Sequence, residues 1–282
     1  MSSIEDVHYH PGSKDEDLQF IIHTDKFTAY VILDGHGFYA REFVASAKSI
    51  LSRKLLEFNE ESYNDSLIRI FEETNTEVYK EIFIRTGATL TVVIITATHM
   101  YVANAGDSDA LLFTKDKTIK KLNADHSGLS CDEMLRLRSS YPETRIMYDS
   151  KTPRMITPVW SLSNEIIPMD NRYHYAKNRS YEPAIYIIYK ENKLAMTRSI
   201  GDYYMKLGGV IAKPSISVRE KPTTDEILLV ASDGFWDGWT KPELAEHLKT
   251  DPASVFAKSI ELNHMCFGSS ADDNSLIMVK FL

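Results

Sequence analysis

The stretch VILDGHGFYA, residues 31–40, joins an apolar run to a carboxylate, a Gly-His-Gly tripeptide and the start of a helical pattern. Residues 27–34 favour a β-strand in composition, so the sequence predicts a buried strand that ends at Asp34. A single Asp at a strand end is usually a turn residue. Whether Asp34 has a chemical role therefore depends on what stands at the other strand ends.

Further carboxylates stand beside predicted strands, and these are Glu16 with Asp17, then Asp107, Asp233 and Asp273. Neighbouring strands can bring such residues to one sheet edge, where close carboxylates repel one another unless a cation neutralises them. Oxygen ligands favour a hard divalent cation, Mg²⁺ or Mn²⁺. Gly35 would let a backbone carbonyl or a water approach such an ion. Zinc is not favoured, because both cysteines are isolated and no histidine pair has ligand spacing.

Two such ions, about 3.5–4 Å apart, would bridge a hydroxide and hold a phosphoryl group. His36, next but one to Asp34, could then protonate a leaving alkoxide. The alternative for His36 is a structural hydrogen bond near the end of a strand.

Composition sets outer limits on the function. Of 282 residues, 43% are hydrophobic and 26% charged, and the net charge is −8. These values suit a globular protein, and we expect no nucleic-acid partner because no basic block offsets the acidic excess. No apolar run approaches the roughly 18–20 residues of a membrane span, and the first residues lack a secretory pattern. We therefore expect no membrane association and a cytoplasmic location, which also suits two isolated cysteines.

The order of the predicted elements favours a layered α+β fold. Apolar residues recur at helical spacing over 38–58 and 62–84, and a third helix is predicted over 241–249, after Thr240. The further predicted strands are 89–96, 100–106, 109–114, 226–232 and 275–282. Grouped strands beside grouped helices are not the regular alternation of a parallel sheet.

A series of motifs resembles the metal-dependent protein phosphatase family (type 2C, PPM). In chain order they are Glu16-Asp17, LDGHG, GATLTVVII, VANAGDS, LNADHS, EMLRL, LAMTRSIGD, LLVASDGFWD and DDNSL. The resemblance implies one catalytic domain over 1–282. It also implies a four-layer α/β/β/α sandwich, in which helices flank two antiparallel sheets and the metal ions lie in a cleft at the sheet edge.

The resemblance implies Mg²⁺ or Mn²⁺ as cofactor, with two ions and, in several members, a third, weaker site. Asp34 would bridge the two ions, and Gly35 would lend its carbonyl to the second. Asp233 and Asp273 would complete the shell of the first ion, and Glu16 would serve the second.

Four other residues receive roles from the same resemblance. Asp107 would belong to the third metal site, and His36 would be the general acid. Asp17 would hydrogen-bond waters on the metal ions. Asp202 and Asp237 would support loop structure rather than bind metal.

The sequence departs from the family pattern where substrate phosphate is bound. The family has an arginine four residues before the first Glu, but this chain has Gly12, with His10 and Lys14 as the nearest cationic candidates. We predict that Lys14 is the substitute, although lysine lacks the planar fork of arginine. Asp109, in GDSD, reverses the charge of the family's arginine there.

The second departure is an enlarged flap, residues 139–190, and the Gly-Gly that usually follows the EMLRL helix is missing. The flap is rich in tyrosine and slightly basic, a composition that recognition surfaces favour, so a protein partner could bind there. Packing of the flap on the protein's own surface is an equal alternative.

The leading hypothesis is a metal-dependent phosphatase whose substrates are phosphoserine and phosphothreonine in proteins. An activated water would attack phosphorus, and His36 would protonate the leaving oxygen. The alternative is a pseudophosphatase that binds phosphoproteins or a partner through the flap. A hydrolase of small phosphate esters or phosphodiesters is a third reading.

Overall fold

The computed structural model describes residues 3–128, 130–148 and 185–282. The first strands are β1 (Ser3–His10), β2 (Asp17–His23), β3 (Thr28–His36), β4 (Gly87–Ile95), β5 (His99–Ala105), β6 (Asp109–Phe113) and β7 (Ile119–Lys121). They are followed by β8 (Arg145–Tyr148), β9 (Ile185–Tyr189), β10 (Asn192–Leu194), β11 (Ile200–Gly201), β12 (Ser215–Glu220), β13 (Ile227–Ala231) and β14 (Asn274–Phe281). The helices are α1 (Ala40–Lys54), α2 (Tyr63–Glu77), α3 (Cys131–Ser140), α4 (Tyr203–Lys206), α5 (Asp233–Asp237), α6 (Lys241–Thr250) and α7 (Val255–Phe267).

The strands within the described ranges form two large sheets and one small one. The first has the order β1-β14-β13-β6-β7, and the second has the order β12-β5-β4-β3-β2, with β11 paired to β4. The small sheet is β10-β9-β8. The ladders are antiparallel.

Strand β3 explains the layering, because successive side chains of a strand point to opposite faces. Ala29, Val31 and Leu33 pack with α1 and α2 on the outer face of the second sheet. Tyr30 and Ile32 point the other way and pack between the two large sheets. A fully buried aliphatic side chain of this kind contributes about 1.5–3 kcal/mol.

The first large sheet is covered on its outer face in the same way. Leu229 of β13 and Leu276 of β14 pack against Phe235, Leu244 and Leu262 of α5, α6 and α7. Helices therefore flank two face-to-face antiparallel sheets, which confirms the predicted four-layer α/β/β/α sandwich.

The predicted strands after residue 88 correspond to β4, β5, β6, β13 and β14, with ends that differ by at most two residues. The predicted helix 241–249 is α6, and Thr240 and Glu243 form a capping box at its start. Strands β1 and β2 were not predicted. They lie at the edges of their sheets, where half-exposed residues weaken the apolar pattern.

Two predicted ends were wrong. The strand at 27–34 continues through His36, because Gly35 and His36 pair with Ala88 and Gly87 of β4. The helix predicted over 62–84 ends earlier, with α2. There the carbonyl of Asn75 accepts a hydrogen bond from the Tyr203 hydroxyl, and a separate 3₁₀ turn follows at Glu81–Phe83.

The described part of the flap packs with its neighbours into a small core of its own. Met134 and Leu137 of α3, Ile146 of β8, Ile187 of β9 and Met205 of α4 are buried together. Most of the predicted flap, and with it the proposed partner surface, lies outside the described residues.

Two further sequence expectations can be compared with the structure. Cys131 and Cys266 are both free and exposed. In the described ranges, no helix combines the length and the apolar character needed to cross a membrane.

Candidate active site

Asp34 lies at a point where three strands meet in register. Its partner across the ladder is Asp17 of β2 on one side and Thr89 of β4 on the other. At the next residue, the Gly35 amide donates to the Glu16 carbonyl at 3.2 Å. A Cβ on Gly35 would lie 2.6 Å from that carbonyl oxygen, so only glycine lets the chain carrying Glu16 lie this close to Asp34.

Three of the predicted carboxylates, Asp17, Asp107 and Asp233, lie close enough to Asp34 to act on its charge. Burial raises the pKa of Asp34 well above its ordinary value, and the negative charges of Asp17, Asp233, Asp272 and Asp107 raise it further. Asp272 is a member of this group that the sequence did not single out. The group, called the Asp34 cluster below, consists of Asp34 and these four residues.

Asp17, the ladder partner of Asp34, is also strongly affected by its surroundings. Burial raises its pKa well above the ordinary value, and the hydroxyls of Ser232 and Ser275 offset part of the effect. Its buried Oδ2 atom accepts no hydrogen bond from any residue that the structure describes. A buried carboxylate oxygen without a donor is costly unless a cation or a water satisfies it.

Asp233 and Asp107 reach the cluster from two different elements. Asp233 is the first residue of α5, and only Ser232 separates it from the end of β13. A Cβ on the next residue, Gly234, would overlap the carbonyl of Asp273, so glycine lets α5 pack on that loop. Asp107 follows β5 in a turn where Gly106 has a φ of +131°, a backbone conformation that favours glycine.

Asp273 is placed differently from the expected metal ligand. Its Oδ1 accepts N–H bonds from Gly12 at 2.7 Å and Asp15 at 2.9 Å. Its Oδ2 accepts from the Glu16 amide and, at 3.3 Å, from the Asp17 amide. A carboxylate has about four lone-pair sites, and here all are used to hold the loop 12–17. Metal binding by Asp273 stays a prediction and would require some of these bonds to be given up.

His36, at the end of β3, pairs with a buried carboxylate. Its Nε2 lies 2.7 Å from Oδ2 of Asp202, which also accepts a hydrogen bond from the Ser199 hydroxyl at 2.6 Å. Burial lowers the pKa of His36, but the Asp202 carboxylate more than offsets this, and the pKa is raised. The charges of Asp107 and Glu16 act in the same direction, so His36 lies beside the acidic site.

Asp202, which was predicted to support a loop, lies at the junction between β11 and α4. It directly precedes α4 with a left-handed φ of +47°, and its amide donates to the Thr86 carbonyl at 2.9 Å. It also orients His36, a contact that the sequence could not reveal. Asp237, the other predicted support, is the last residue of α5.

The expected phosphate-binding arginine has no room at Gly12. A Cβ there would overlap the backbone of Asp272, because the loop packs directly on that segment. Lys14 lies nearby, with its Nζ 3.1 Å from Oδ2 of Asp272. Burial lowers the pKa of Lys14, but the charges of Asp272, Asp34 and Asp233 outweigh burial, and the pKa is raised overall. The ammonium group therefore lies close to the Asp34 cluster.

Sequence reasoning missed a second cation at this loop. The guanidinium of Arg41, in the first turn of α1, pairs with the Asp15 carboxylate, and its Nε donates to the Asp15 carbonyl at 3.3 Å. No sequence motif marked Arg41, because only the packing of α1 beside the loop 12–17 brings it there.

Two further residues position parts of the site. The amide of Gly106 donates to Nδ1 of His126 at 3.2 Å, which holds the turn before Asp107. Burial lowers the pKa of His126 to about 4, so the ring is neutral and can accept this bond. Asp109, the reversed charge, pairs with Lys121 at 2.7 Å and lies outside the cluster.

The donor set has the chemistry that a hard divalent cation requires, although the side chains do not form a closed ligand shell. Within the described ranges, no three His, Cys, Asp or Glu side chains are close enough together to hold a metal ion. The mutual rise of pKa at Asp34 and Asp17 and the unsatisfied oxygen of Asp17 nevertheless fit a cation.

Comparison with known proteins places the chain in a family. The family model described as Protein phosphatase 2C matches residues 2–149 and 177–252. Among curated relatives, Protein phosphatase 2C 56 of Arabidopsis thaliana is 26% identical over 226 residues, which are 76% of this chain and 43% of the relative. Probable protein phosphatase 2C 35 of the same plant is 26% identical over 248 residues, which are 81% of this chain and 67% of the relative. The chain thus spans less than half of the first relative.

Solved structures support the fold. Serine-threonine phosphatase 2C from Toxoplasma gondii superposes with a TM-score of 0.69 at 13% identity, over 99% of this chain and 94% of that one. The S. agalactiae serine/threonine phosphatase gives 0.66 at 15% identity, over the full length of both. The family model covers well over half of the residues, including those that bring Asp34, His36 and Asp202 together, and the chain belongs to the protein phosphatase 2C family.

Proposed function

We propose that this chain hydrolyses phosphoserine and phosphothreonine in proteins with the help of Mg²⁺ or Mn²⁺. The observation that carries the proposal is the placement of His36 between Asp202 and the buried Asp34 cluster. A proton donor beside a group of carboxylates that needs a cation suits metal-assisted hydrolysis of a phosphate ester.

The ions would be held by Asp34, Glu16, Asp233 and the Gly35 carbonyl, with Asp107 at a third site. The remaining ligand would be either Asp272 or Asp273. Asp272 is the alternative because the oxygens of Asp273 already accept hydrogen bonds from backbone amides. When bound, the ions would supply a water made nucleophilic at neutral pH and offset the charge of the phosphoryl oxygens.

The chain's own residues bind the phosphate and move the proton. Lys14, and Arg41 after release from Asp15, offer positive charge for the phosphoryl oxygens. As water adds to phosphorus and the bond to the Ser or Thr oxygen breaks, His36 gives that oxygen a proton. Asp202 accepts from Nε2, so Nδ1 is the donor, and Asp202 stabilises the protonated ring. The products are inorganic phosphate and the free hydroxyl.

A second candidate, a phosphoprotein-binding module without turnover, has two observations in its favour. The described side chains do not form a ready ligand shell, and Gly12 leaves no space for the usual arginine. In this reading the charged site binds a phosphorylated partner, and the flap adds contacts.

The test is turnover of a phosphopeptide panel and a generic aryl phosphate in chelator, in Mg²⁺ and in Mn²⁺. Asp233→Ala removes one proposed ligand. Asp116→Ala is the matched control, because Asp116 is exposed in the turn before β7, away from the cluster.

We expect metal-dependent phosphate release that Asp233→Ala abolishes and Asp116→Ala preserves. Turnover of the aryl phosphate alone would favour small esters as substrates. If the folded protein releases no phosphate at any metal concentration, the proposal fails, and phosphopeptide binding without turnover would then support the binding module.

A further inference from the structure

An exposed apolar surface lies next to His36. Phe38 is 89% exposed, Leu207 is 74% exposed and Ile84 is 47% exposed. These three residues are called the Phe38 surface below. A single exposed apolar residue is ordinary, but a group of them beside a reactive site is typical of a binding surface.

Backbone contacts bring the three segments that carry these residues close together. A Cβ on Gly37 would lie 2.5 Å from the carbonyl of Arg85, so the chain before Phe38 lies on the segment after Ile84. The amide of Tyr204 donates to the carbonyl of Ile84 at 3.2 Å. Leu207 follows within one turn, since α4 ends at Lys206.

Two cations and one carboxylate lie near Ile84 of this surface, in a chain whose net charge is −8. Arg85 directly follows Ile84, Lys80 and Glu81 precede it by four and three positions, and all three charged residues are exposed. The Arg85 guanidinium lies 5.3 Å from the centre of the Tyr204 ring, which holds it at this surface. Cations beside exposed apolar groups suit a phosphorylated peptide, whose phosphate is anionic.

Chain geometry fixes how far from the phosphate the contact would be. Phe38 is two residues from His36, so their Cα atoms are at most about 7 Å apart. An extended peptide advances about 3.3 Å per residue. A substrate whose phosphorylated residue reaches His36 would therefore bring a side chain within three positions of it over the Phe38 surface.

We propose that the Phe38 surface binds an apolar side chain of the substrate protein within three residues of the phosphorylated Ser or Thr. The inference rests on the proposed function and narrows its substrate class to phosphopeptides with an apolar residue close to the phosphate.

The test uses one phosphothreonine peptide with Ser at the three positions on each side, and six variants that carry Leu at one position each. For each protein variant we compare the Leu peptides with the Ser peptide, both as kcat/KM and as Kd from fluorescence anisotropy. Phe38→Ser removes the apolar ring and Phe38→Leu keeps an apolar side chain. Leu56→Ser is the control, because Leu56 is 59% exposed but lies beyond the far end of α1, about 22 Å from its start.

We expect one Leu position to be preferred about tenfold by the native chain, the discrimination usual for an apolar contact. Phe38→Ser should reduce this preference, the ratio of the Leu-peptide value to the Ser-peptide value, to about one. Phe38→Leu and Leu56→Ser should retain it. Because the ratio is taken within each variant, partial loss of turnover does not alter it.

A native chain without preference at any position would overturn the inference, and so would a preference that survives Phe38→Ser. If no substrate is turned over, the proposed function fails by itself. The ratio of Kd values then decides the inference by the same criteria.

Discussion

At the scale of single residues, the contact between His36 and Asp202 defines the proton donor. Asp202→Asn keeps the size of the side chain and tolerates the left-handed backbone, but removes the charge that raises the pKa of His36. A general acid acts in its protonated form, so activity falls as pH rises through its pKa. We expect the alkaline fall of kcat to move to lower pH in Asp202→Asn, measured at saturating Mn²⁺. Ser199→Ala, which removes only a hydrogen bond to Asp202, should cause a smaller shift, and an unchanged alkaline limb would exclude His36 as the acid.

Lys14 is also a residue-scale question, because Gly12 cannot carry the expected arginine. If Lys14 binds the substrate phosphate, Lys14→Ala should raise KM about tenfold or more and change kcat less, since it removes binding rather than proton transfer. Steady-state kinetics on the preferred phosphopeptide measures this split. An unchanged KM in Lys14→Ala combined with a raised KM in Arg41→Ala would assign the phosphate to Arg41 instead.

At the scale of elements, a buried ion-pair network attaches α3 to the segment before β11. Glu133, 2% exposed, receives hydrogen bonds from Arg198 at 3.0 and 2.5 Å, from Arg136 at 2.8 Å and from Thr197 at 2.7 Å. The same segment continues into Asp202. The network therefore holds α3 to the segment that leads to Asp202.

Removing Glu133 should be costly, because it leaves two guanidinium groups without their shared partner. We expect Glu133→Ala to lower the free energy of unfolding by about 3–5 kcal/mol at pH 7, measured by urea denaturation. Asp132→Ala, an exposed change on the same helical turn, should cost a few tenths of a kcal/mol at most. A loss for Glu133→Ala no larger than that of Asp132→Ala would contradict the network's role.

The pH dependence of this contribution follows from the pKa of Glu133. Burial raises it, but hydrogen bonds from Arg198, Arg136 and Thr197 outweigh that and lower it to about 2 from an ordinary 4.5. A carboxyl whose folded pKa is depressed stabilises the fold above its unfolded pKa and loses the contribution as pH falls. The difference between the native chain and Glu133→Ala should therefore shrink between pH 4.5 and 2.

At the scale of the whole molecule, the Asp34 cluster should lower the stability of the metal-free chain, because its carboxylates are arranged for a cation. Its members Asp34 and Asp17 have raised pKa values, so the folded chain holds protons more tightly than the unfolded chain. Their contribution to stability falls as pH rises above the unfolded pKa. In chelator at pH 7, Asp34→Asn should thus be more stable than the native chain, by about 1 kcal/mol.

Metal should reverse that order. Binding at 100 times Kd adds about 2.7 kcal/mol to the native chain, and Asp34→Asn, without the bridging carboxylate, should gain much less. Thermal unfolding in chelator and in Mn²⁺ measures both effects. Two results would contradict a cation site at this cluster. One is an Asp34→Asn chain that is less stable than the native chain in chelator, and the other is an Asp34→Asn chain that Mn²⁺ stabilises as much as the native chain.

Much of the layering could be predicted from local pattern. Alternation along β3 sends Val31 and Ile32 into two different cores, and this alternation is written in the order of the residues. The edge strand β1 could not be predicted in this way. Its residues pair with β14, more than 260 positions away, and its half-exposed surface gives a weak apolar pattern.

In the candidate site, too, some features could be predicted from the sequence and others could not. The series of nine motifs, from Glu16-Asp17 to DDNSL, was enough to predict a family, a fold and a set of acidic side chains. These motifs could not predict that Asp17 stands opposite Asp34, since a shift of one residue in register would send it to the other face of the sheet.

The sequence by itself determined the types of residue available to the site and the alternation that buries each sheet on both faces, because both depend only on neighbours along the chain. The tertiary structure alone decided that Asp273 holds the loop 12–17, that Asp272 faces Asp34 and that Gly12 has no room for a side chain. Each of these contacts joins segments about 240 to 260 residues apart, and their geometry depends on how distant parts of the chain pack together, which no local pattern records.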